Sequence, residues 1–350
     1  MTFSSNISFR ERFLRACQCR PTDRPPLWMM RQAGRSLPEY RELKQGRSFT
    51  ELVQDPALAA EISLQPIRRF GYDAAIVFSD ILVVAKSLGA SYELLEGGGV
   101  KVDHDASISP SKLDADRILE EGAYTFEALR ILRKKLAGER ALIGFSGAPW
   151  TLAAFMLEGG SHQTPTRALQ YIKEHPARMQ ALLEKITQAT LLYLQAQIKA
   201  GADVVQIFDS QGGSLPPSLY EKFSRVWIRQ IITALPKEIP VILFARGVHH
   251  SWDQLAQTGA SVLSVDFESS LSDVAKQIPH RMALQGNLNP ALLCAEPARA
   301  VQETKVILER MKNRPGFIFN LGHGVPPDAK IETIQAVAKT VQQANLNGEL

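Results

Sequence analysis

Eight short apolar segments recur along the chain, and stretches with helical periodicity separate them. These segments lie near residues 27–30, 74–78, 141–145, 204–208, 241–244, 262–265, 282–284 and 317–319. Segments that are apolar at successive positions are typical of parallel strands buried on both faces. The alternation therefore predicts an α/β fold of the (β/α)8 TIM barrel type, since closure leaves no strand edge bare. A doubly wound open sheet is the alternative, but no Gly-rich dinucleotide turn follows the first strand.

Two segments depart from this alternation of strands and helices. Residues 89–102 alternate polar and apolar side chains around a triple glycine, which predicts a hairpin insertion after the second strand. Residues 158–165 form a long polar loop after the third strand, of a kind that often covers active sites. No linker or long repeat appears, so we expect residues 1–350 to form one domain. Residues 1–24 are expected to be its N-terminal helical extension.

Charge and cysteine content restrict the partners and the compartment. The net charge is only +4, and basic residues are interleaved with acidic ones, whereas nucleic-acid binding needs a concentrated basic face. No apolar run approaches the roughly 18 residues that a membrane span requires. Three cysteines without a paired Cys-x-x-Cys suit a reducing compartment. We expect a cytoplasmic protein that binds neither nucleic acid nor membrane.

Two arginines flank a small glycine-containing segment at the end of the first predicted strand. The order is Arg31, Gln32, Ala33, Gly34 and Arg35, directly after an apolar run. Ordinary ion pairs across barrel loops would explain the arginines alone. The glycine, however, lets the backbone approach a ligand closely, and main-chain amides can then join the two guanidinium groups. The segment therefore favours an anion site.

Asp80 ends the second predicted strand and stands between two apolar runs. A carboxylate in such surroundings is costly unless something pairs with it. It could cap the following helix, which is a common role for aspartate. The alternative is a carboxylate that receives cationic or N–H groups of a ligand.

Further polar residues follow the other predicted strands. His323 lies between two glycines, where a packed core histidine would be unusual, and we interpret it as a ligand contact. Ser210 lies in a loop without a nucleophile-elbow pattern, so we interpret it as a hydrogen-bond donor. The remaining strand ends carry Gly147, Arg246, Asp266 and Asn287.

The other polar residues near strand ends receive structural interpretations. Asp209 and Asp266 fit the role of loop caps, and His249 with His250 reads as a solvated loop pair. The sequence offers no metal-binding cluster, phosphate loop or cofactor lysine. We therefore expect neither metal nor cofactor, which limits an enzyme to substrates that supply their own electron sink.

Several motifs resemble one family over nearly the whole chain. "PLWMMRQAGR" and "GFSGAPWTLAAFMLEGG" resemble the two signatures of the uroporphyrinogen decarboxylases, and "FSDI", "IFDSQGG", "QGNLNP" and "FNLGHG" continue the likeness. The resemblance implies a distorted (β/α)8 barrel that forms a homodimer. It also implies conversion of uroporphyrinogen III to coproporphyrinogen III in porphyrin and heme biosynthesis, with four acetate groups losing CO2 and no cofactor.

The resemblance assigns roles to the motif residues. The segment from Arg31 to Arg35 would bind substrate, with its arginines answering substrate carboxylates. Asp80 would lie beneath the macrocycle and accept its pyrrole N–H groups, while Ser210 and His323 would contact side-chain carboxylates. Phe49 is a further candidate for the pocket lining. Phe155 stands where the family usually has tyrosine, so a hydroxyl of the relatives is absent here.

The chemistry of an acetate-bearing pyrrole fits these residues. Protonation of a ring carbon gives a pyrrolium that accepts the electrons released with CO2, and Asp80 would stabilise that cation. Arg31 and His323 are both candidates for the proton donor. A corrinoid-linked methyltransferase is one alternative, but none of the seven histidines begins a His-x-Cys pair. A tetrapyrrole carrier without catalysis is the other.

Overall fold

The computed structural model describes residues 7–94, 99–104, 109–160, 162 and 164–344. Seven parallel strands form one curled sheet in the order β1-β4-β5-β6-β7-β8-β9, and β2 pairs with β3 in a separate antiparallel sheet. The strands, numbered in chain order, are β1 Ala74–Ile76, β2 Ser91–Leu94, β3 Val100–Asp103, β4 Ala141–Gly147, β5 Val204–Asp209, β6 Val241–Ala245, β7 Val262–Ser264, β8 Ala283–Leu288 and β9 Phe317–Leu321. The chain is therefore an α/β fold.

Helices lie between consecutive strands of the sheet. The α-helices, also in chain order, are α1 Phe9–Cys17, α2 Pro38–Lys44, α3 Phe49–Gln54, α4 Pro56–Phe70, α5 Val83–Ser87, α6 Ile118–Glu121, α7 Ala123–Leu136, α8 Pro149–Glu158, α9 Thr166–Glu174, α10 Pro176–Lys199, α11 Pro217–Tyr220, α12 Val226–Ala234, α13 Trp252–Ala256, α14 Leu271–Gln277, α15 Pro297–Met311 and α16 Ile331–Gln342. Short 3-10 segments span Pro110–Lys112, Gly212–Ser214 and Pro290–Cys294, and a π-helical turn spans Glu221–Arg225. Among the described residues, no helix is long and apolar enough to span a membrane.

Seven of the predicted strands are present, but residues 27–30 do not form the eighth. Leu27 makes one parallel bridge to Phe319 of β9, and its carbonyl accepts the Asp73 amide at 2.8 Å. The segment thus lies between the two end strands of the sheet. A longer ladder does not form because Pro26 has no N–H to donate and because the chain turns sharply at Arg31, whose φ is 60°.

A polar network crosses the interior of the sheet, where the sequence predicts only apolar side chains. The Trp28 indole donates to Gln285 Oε1 at 2.8 Å, and Gln285 Nε2 donates to Ser264 Oγ at 3.0 Å and Gln206 Oε1 at 3.3 Å. Buried polar groups are costly unless they are hydrogen-bonded, and these bonds satisfy the Trp28 indole and both ends of the Gln285 amide. The network ties residues 27–30 to β8.

The antiparallel strands β2 and β3 lie between β1 and β4 in the chain and pack on the end of α8. The Val102 amide donates to the Gly159 carbonyl at 2.8 Å, and Lys101 bridges to Gly160. The connection between the two strands, residues 95–98, lies outside the described residues. A hairpin insertion therefore stays a prediction. Of the predicted loop 158–165, residues 161 and 163 also lie outside the described part of the chain.

An ion-pair cluster joins the N-terminal helix to the start of the sheet. The Asp73 carboxylate, fully buried before β1, accepts hydrogen bonds from Arg12 at 2.9 Å and from Arg24 at 2.8 Å. It also accepts the Leu27 amide at 2.8 Å. One carboxylate thus holds α1, the segment before residue 27 and β1 together at the amino ends of the strands.

Replacement of Asp73 by alanine should destabilise the fold strongly. The change leaves the buried Arg24 guanidinium without its anion and leaves Arg12 with only one of its two carboxylates, that of Asp23. Loss of the partner of a buried charge typically costs about 3–5 kcal/mol. Urea denaturation followed by circular dichroism measures the loss of unfolding free energy. Glu127→Gln is the matched control, since its exposed ion pair with Arg130 contributes less than about 1 kcal/mol. Equal midpoints for the two variants would contradict the cluster's role.

Candidate active site

Aromatic rings line one end of the sheet. The rings of Phe145, Phe208, Phe244 and His323 follow one another edge to face, with centroids 5.6, 6.2 and 6.3 Å apart. They come from β4, β5, β6 and the loop after β9, all at or beyond the carboxyl ends of the strands. Active sites of parallel α/β folds gather at this end. We call these four rings the aromatic wall.

The arginine segment forms a tight turn anchored to the loop after β9. The Met30 amide donates to Asn320 Oδ1 at 2.9 Å, and the Val325 amide donates to the Met30 carbonyl at 2.8 Å. Arg31 follows with φ at 60°, the left-handed region that non-glycine residues rarely adopt. The two anchors hold this conformation, which directs Arg31 away from the path of residues 27–30.

Gln32 is occupied within the turn itself. Its Nε2 donates to the Ala74 carbonyl at 3.1 Å, and its Oε1 accepts the Met29 amide at 3.2 Å. The side chain is almost fully buried and therefore secures the arginine segment against β1. Ala33 and Gly34 are half-buried, and Arg35 is exposed.

A close approach of backbone and side chain occurs at Gly324. A Cβ there would lie 2.3 Å from Arg31 Cδ and 2.7 Å from Cγ, so the arm of Arg31 occupies that space. At Gly34, by contrast, a Cβ would meet only the Arg31 carbonyl at 3.9 Å. The glycine that the Arg31 side chain requires is therefore the one after His323.

Three guanidinium groups share the site without anionic partners. Arg31, Arg35 and Arg246 are exposed and form no ion pair with any carboxylate in the described part of the chain. Desolvation by the surrounding protein lowers the pKa of Arg31, and the positive charges of Arg35 and Arg246 act in the same direction. Asp80 opposes this shift. Unpaired cations that influence one another electrostatically are suited to a polyanionic ligand.

Asp80 is half-buried and accepts the Leu82 amide at 2.6 Å through Oδ1. This hydrogen bond closes an Asx turn before α5. The helix itself has Leu82 as its N-cap and no side-chain cap, so the N-cap interpretation of Asp80 is wrong. Its second oxygen has no hydrogen bond to any described residue, and no described cation lies at ion-pair distance. Burial raises the pKa of the carboxyl group, whereas the Leu82 amide and Arg31 favour the charged form. One oxygen thus remains available to a ligand.

Hydroxyl groups surround Asp80 that the sequence did not reveal. Ser79 Oγ lies 3.1 Å from Thr125 Oγ1, which also accepts from the Tyr193 hydroxyl at 3.3 Å. Burial raises the pKa of Tyr92 and Tyr124, and the negative charge of Asp80 contributes to both shifts. These residues come from β2, α7 and α10, and no local motif marks them.

His323 is neutral near pH 7. Burial lowers the pKa of its imidazole to about 4, and the nearby charges of Arg31 and Arg246 add to the effect while Asp266 opposes it. The half-buried ring contacts Phe244 edge to face. In the unliganded protein it is therefore a neutral hydrogen-bonding group, not an acid.

The loop after β5 is built around Asp209. This fully buried carboxylate accepts hydrogen bonds from Thr151 at 2.9 Å, Ser224 at 2.7 Å and Tyr220 at 3.1 Å. The structural interpretation of Asp209 is confirmed. Ser210 follows it, is half-buried and has no hydrogen bond within the described part of the chain. Its hydroxyl can therefore donate to a ligand.

Asp266, in the loop after β7, is bonded to the loop after β6 and to β8. Its Oδ2 accepts the Gly247 amide at 2.8 Å and contacts His249 Nε2 at 2.7 Å. Asn287 Nδ2 donates to the Asp266 carbonyl at 2.8 Å. The structural role of Asp266 is confirmed. His249 and His250 are both exposed, as the solvated-pair interpretation predicts. That interpretation misses the contact of His249 with Asp266, which lies seventeen positions away in sequence.

One group of described residues could hold a cation. Ligand atoms of His249, Asp266 and Glu268 lie within 4.8 Å of one another. The Asp266 oxygen nearest the imidazole already accepts two hydrogen bonds, so this geometry is explained by loop packing.

Two aromatic positions flank the site. Phe49 packs against Phe78, with centroids 5.2 Å apart, and is half-buried. Phe155 is half-buried in α8, whose last turn supports β3. Their contact with a ligand stays a prediction.

The lowered pKa of His323 can be measured directly. We expect the His323 ring in the unliganded protein to titrate by NMR with a midpoint of about 4. Comparison with the spectrum of His323→Gln assigns the His323 signal. The positive charge of Arg31 disfavours the His323 imidazolium. Arg31→Gln removes that charge, so the midpoint should rise toward the usual value near 6.5. Arg229→Gln, on the exposed face of α12, is the control and should leave it unchanged. A midpoint above about 6 would contradict the electrostatic description.

Solved structures with the same fold include distant proteins. A methyltransferase from Methanosarcina mazei matches with a TM-score of 0.82 and 20% identity, covering 97% of this chain and 99% of that chain. A B12-independent methionine synthase from Shewanella sp. W3-18-1 matches with a TM-score of 0.56 and 11% identity, covering 84% and 89%. Identities this low establish the shared fold alone.

Sequence comparison is more specific. The profile of the family described as "Uroporphyrinogen decarboxylase (URO-D)" matches residues 8–344. The uroporphyrinogen decarboxylase of Alkalilimnicola ehrlichii is 42% identical over 341 residues, covering 95% of this chain and 93% of that protein. That of Edwardsiella ictaluri is 42% identical over 326 residues, covering 91% and 92%. The chain belongs to the uroporphyrinogen decarboxylase family.

Proposed function

We propose that this chain is a carboxy-lyase that converts uroporphyrinogen III to coproporphyrinogen III and CO2 in heme biosynthesis. It would act on all four acetate side chains without a cofactor. Family membership over nearly the whole length supports this activity. The observation that carries it is the half-buried Asp80 carboxylate, which has one oxygen free in a site with three unpaired arginines.

The chemistry requires a stabilised cation. A proton adds to the pyrrole carbon beside the acetate, and the resulting pyrrolium accepts the electron pair as the bond to the carboxylate breaks and CO2 leaves. A second proton converts the exocyclic carbon to methyl, and the ring carbon then releases the first. Each acetate therefore consumes one proton, and its ring passes through a positively charged state.

Asp80 is the residue proposed to stabilise that state. A fixed carboxylate about 4 Å from a positive charge contributes roughly 4 kcal/mol at an effective dielectric near 20, or about three orders of magnitude in rate. The Leu82 hydrogen bond fixes the carboxylate before substrate binds, so no reorganisation is needed. Its free oxygen can accept pyrrole N–H groups and draw the flexible macrocycle into a dome.

The arginine segment, Ser210 and His323 are proposed to bind the peripheral carboxylates. Arg31 and Arg35 supply charge, and Ser210 and neutral His323 supply hydrogen bonds. Gln32 holds the turn, while Ala33 and Gly34 offer main chain. For the proton donor, Arg31 keeps its proton too tightly in ordinary circumstances. Substrate carboxylates would offset the positive charges that lower the pKa of His323, which favours His323 once substrate is bound.

Assembly and location complete the proposal. We propose that residues 27–30 close the sheet into a distorted eight-stranded barrel, supported by the contacts of Leu27 with both end strands. A hairpin insertion after β1 is proposed from the pairing of β2 with β3. A single domain over residues 1–350 with an extension over 1–24, a homodimer and a cytoplasmic location follow from the sequence and from the resemblance.

Asp80 variants test the proposed function. Under anaerobic conditions with uroporphyrinogen III and no additive, chromatography should show stepwise loss of four carboxylates. Asp80→Asn should lower kcat by about three orders of magnitude, because it removes the charge but keeps the shape. Asp80→Gly should lose nearly all turnover, and Asp80→Glu should keep a measurable fraction.

Asp253→Asn is the control for these variants, since Asp253 is exposed on α13. Equal turnover by Asp80→Asn and the unaltered enzyme would remove the electrostatic role. Binding of uroporphyrinogen without any loss of carboxylates would instead indicate a carrier.

A further inference from the structure

Arg246 is a charged residue of the site that the motifs leave without a role. It follows β6 directly, is exposed, and forms no ion pair or side-chain hydrogen bond within the described part of the chain. An exposed loop arginine without a function can point in any direction, including toward the outer surface. The backbone around Arg246 indicates that it faces inward.

Strand alternation sets the direction of Arg246. The Arg246 amide donates to the Asp209 carbonyl at 3.1 Å and so completes the last registered pair of β5 and β6, Asp209 with Ala245. Residues two apart on a strand lie on the same face. Phe244, two positions earlier, belongs to the aromatic wall and contacts both Phe208 and His323. Arg246 therefore continues above that wall toward the mouth of the sheet.

The position of β6 in the sheet places Arg246 opposite the arginine segment. β6 is the middle strand of seven, whereas Leu27 lies beside both end strands, β9 and β1. In a curled sheet the middle strand faces the gap between the ends. The positive charge of Arg246 reaches the site, since it contributes to the lowered pKa of Arg31 and of His323. The cations thus approach from two sides.

Two contacts hold the loop that carries Arg246. On one side, the Gly213 amide donates to the Arg246 carbonyl at 2.8 Å, and a Cβ on Gly213 would lie 2.7 Å from Gly247 Cα. On the other side, buried Asp266 accepts the Gly247 amide and contacts His249 Nε2 at 2.7 Å. His249 also stacks on Trp252, with 17° between the ring planes. The loop is fixed before any ligand arrives.

We propose that Arg246 binds a carboxylate of the substrate on the side of the macrocycle away from Arg31 and Arg35, and that the His249–Asp266 contact positions it. This inference rests on the proposed function, since it assigns one more binding residue to the same polycarboxylate. A macrocycle with carboxylates around its rim needs anion partners on more than one side. Arg246 supplies the partner opposite the arginine segment, and His249 acts only through the loop.

Steady-state kinetics with uroporphyrinogen III under anaerobic conditions test the inference. Arg246→Gln should raise KM about tenfold to a hundredfold, because a charge-assisted contact is lost. The kcat should change less than about threefold, since the contact is equal in ground and transition states. Arg246→Lys keeps the charge but not the bidentate geometry and should raise KM by about three- to tenfold. Arg229→Gln, exposed on α12, is the matched control and should leave both constants unchanged.

A double-mutant cycle tests the role of His249. His249→Ala should raise KM by about three- to tenfold, and the double variant with Arg246→Gln should be no worse than Arg246→Gln alone. Additive effects would show that His249 does not act through Arg246. An unchanged KM in Arg246→Gln, or a fall in kcat at constant KM, would overturn the binding role.

Calorimetry separates this inference from the proposed function. If the unaltered protein removes no carboxylates from uroporphyrinogen III, the proposed decarboxylase function is rejected, and this result says nothing about Arg246. Anaerobic titration of uroporphyrinogen III into the unaltered protein and Arg246→Gln then decides the inference alone. Weaker binding by the variant, with a shallower dependence on salt, supports it, whereas equal affinity or no binding by either protein overturns it.

Discussion

The site depends on charge that the protein leaves uncompensated. Arg31, Arg35 and Arg246 have no acidic partner in the described part of the chain, and Asp80 has no cationic one. Most proteins pair such groups, because isolated charges near apolar surface are unfavourable. Here the fold keeps them from pairing: the three arginines have no carboxylate partner, and the Asp80 carboxylate is fixed by the Leu82 main-chain amide. A ligand with N–H groups at its centre and carboxylates at its rim would supply the partners that Asp80 and the three arginines lack.

The loops that carry these groups are fixed by glycine contacts and by one buried carboxylate. Gly213 lies against Gly247, and Gly322 lies against Phe267, each at a separation that leaves no room for a Cβ. The Asp266 carboxylate then joins the loop after β7 to the loop after β6, and its main-chain carbonyl accepts Asn287 of β8. Such preorganisation matters because a binding or transition-state contact is worth most when nothing must move to form it. The ion-pair cluster around Asp73 lies at the amino ends of the strands, at the opposite end of the sheet from the candidate site.

The sequence predicts the parts of the molecule that local pattern determines. Seven strands follow from apolar runs. Residues 27–30 form a single bridge and no full strand, because Pro26 lacks a donor and Arg31 turns the chain. Residues directly after strands, such as Ser210 after β5, can be proposed for the site from their position in the sequence alone. The partner of His249 could not be found, since hydrogen bonding to Asp266 depends on how two loops pack. The hydroxyl groups near Asp80 were missed for the same reason.

The space at Gly324 has a consequence for the position of the Arg31 side chain. The arm of Arg31 occupies the volume in which residue 324 would carry its first side-chain carbon. A mutation that lengthens residue 324 is therefore felt first by the guanidinium group, although the two positions lie near opposite ends of the chain. The place of the Arg31 charge in the site thus depends on the absence of a side chain at residue 324.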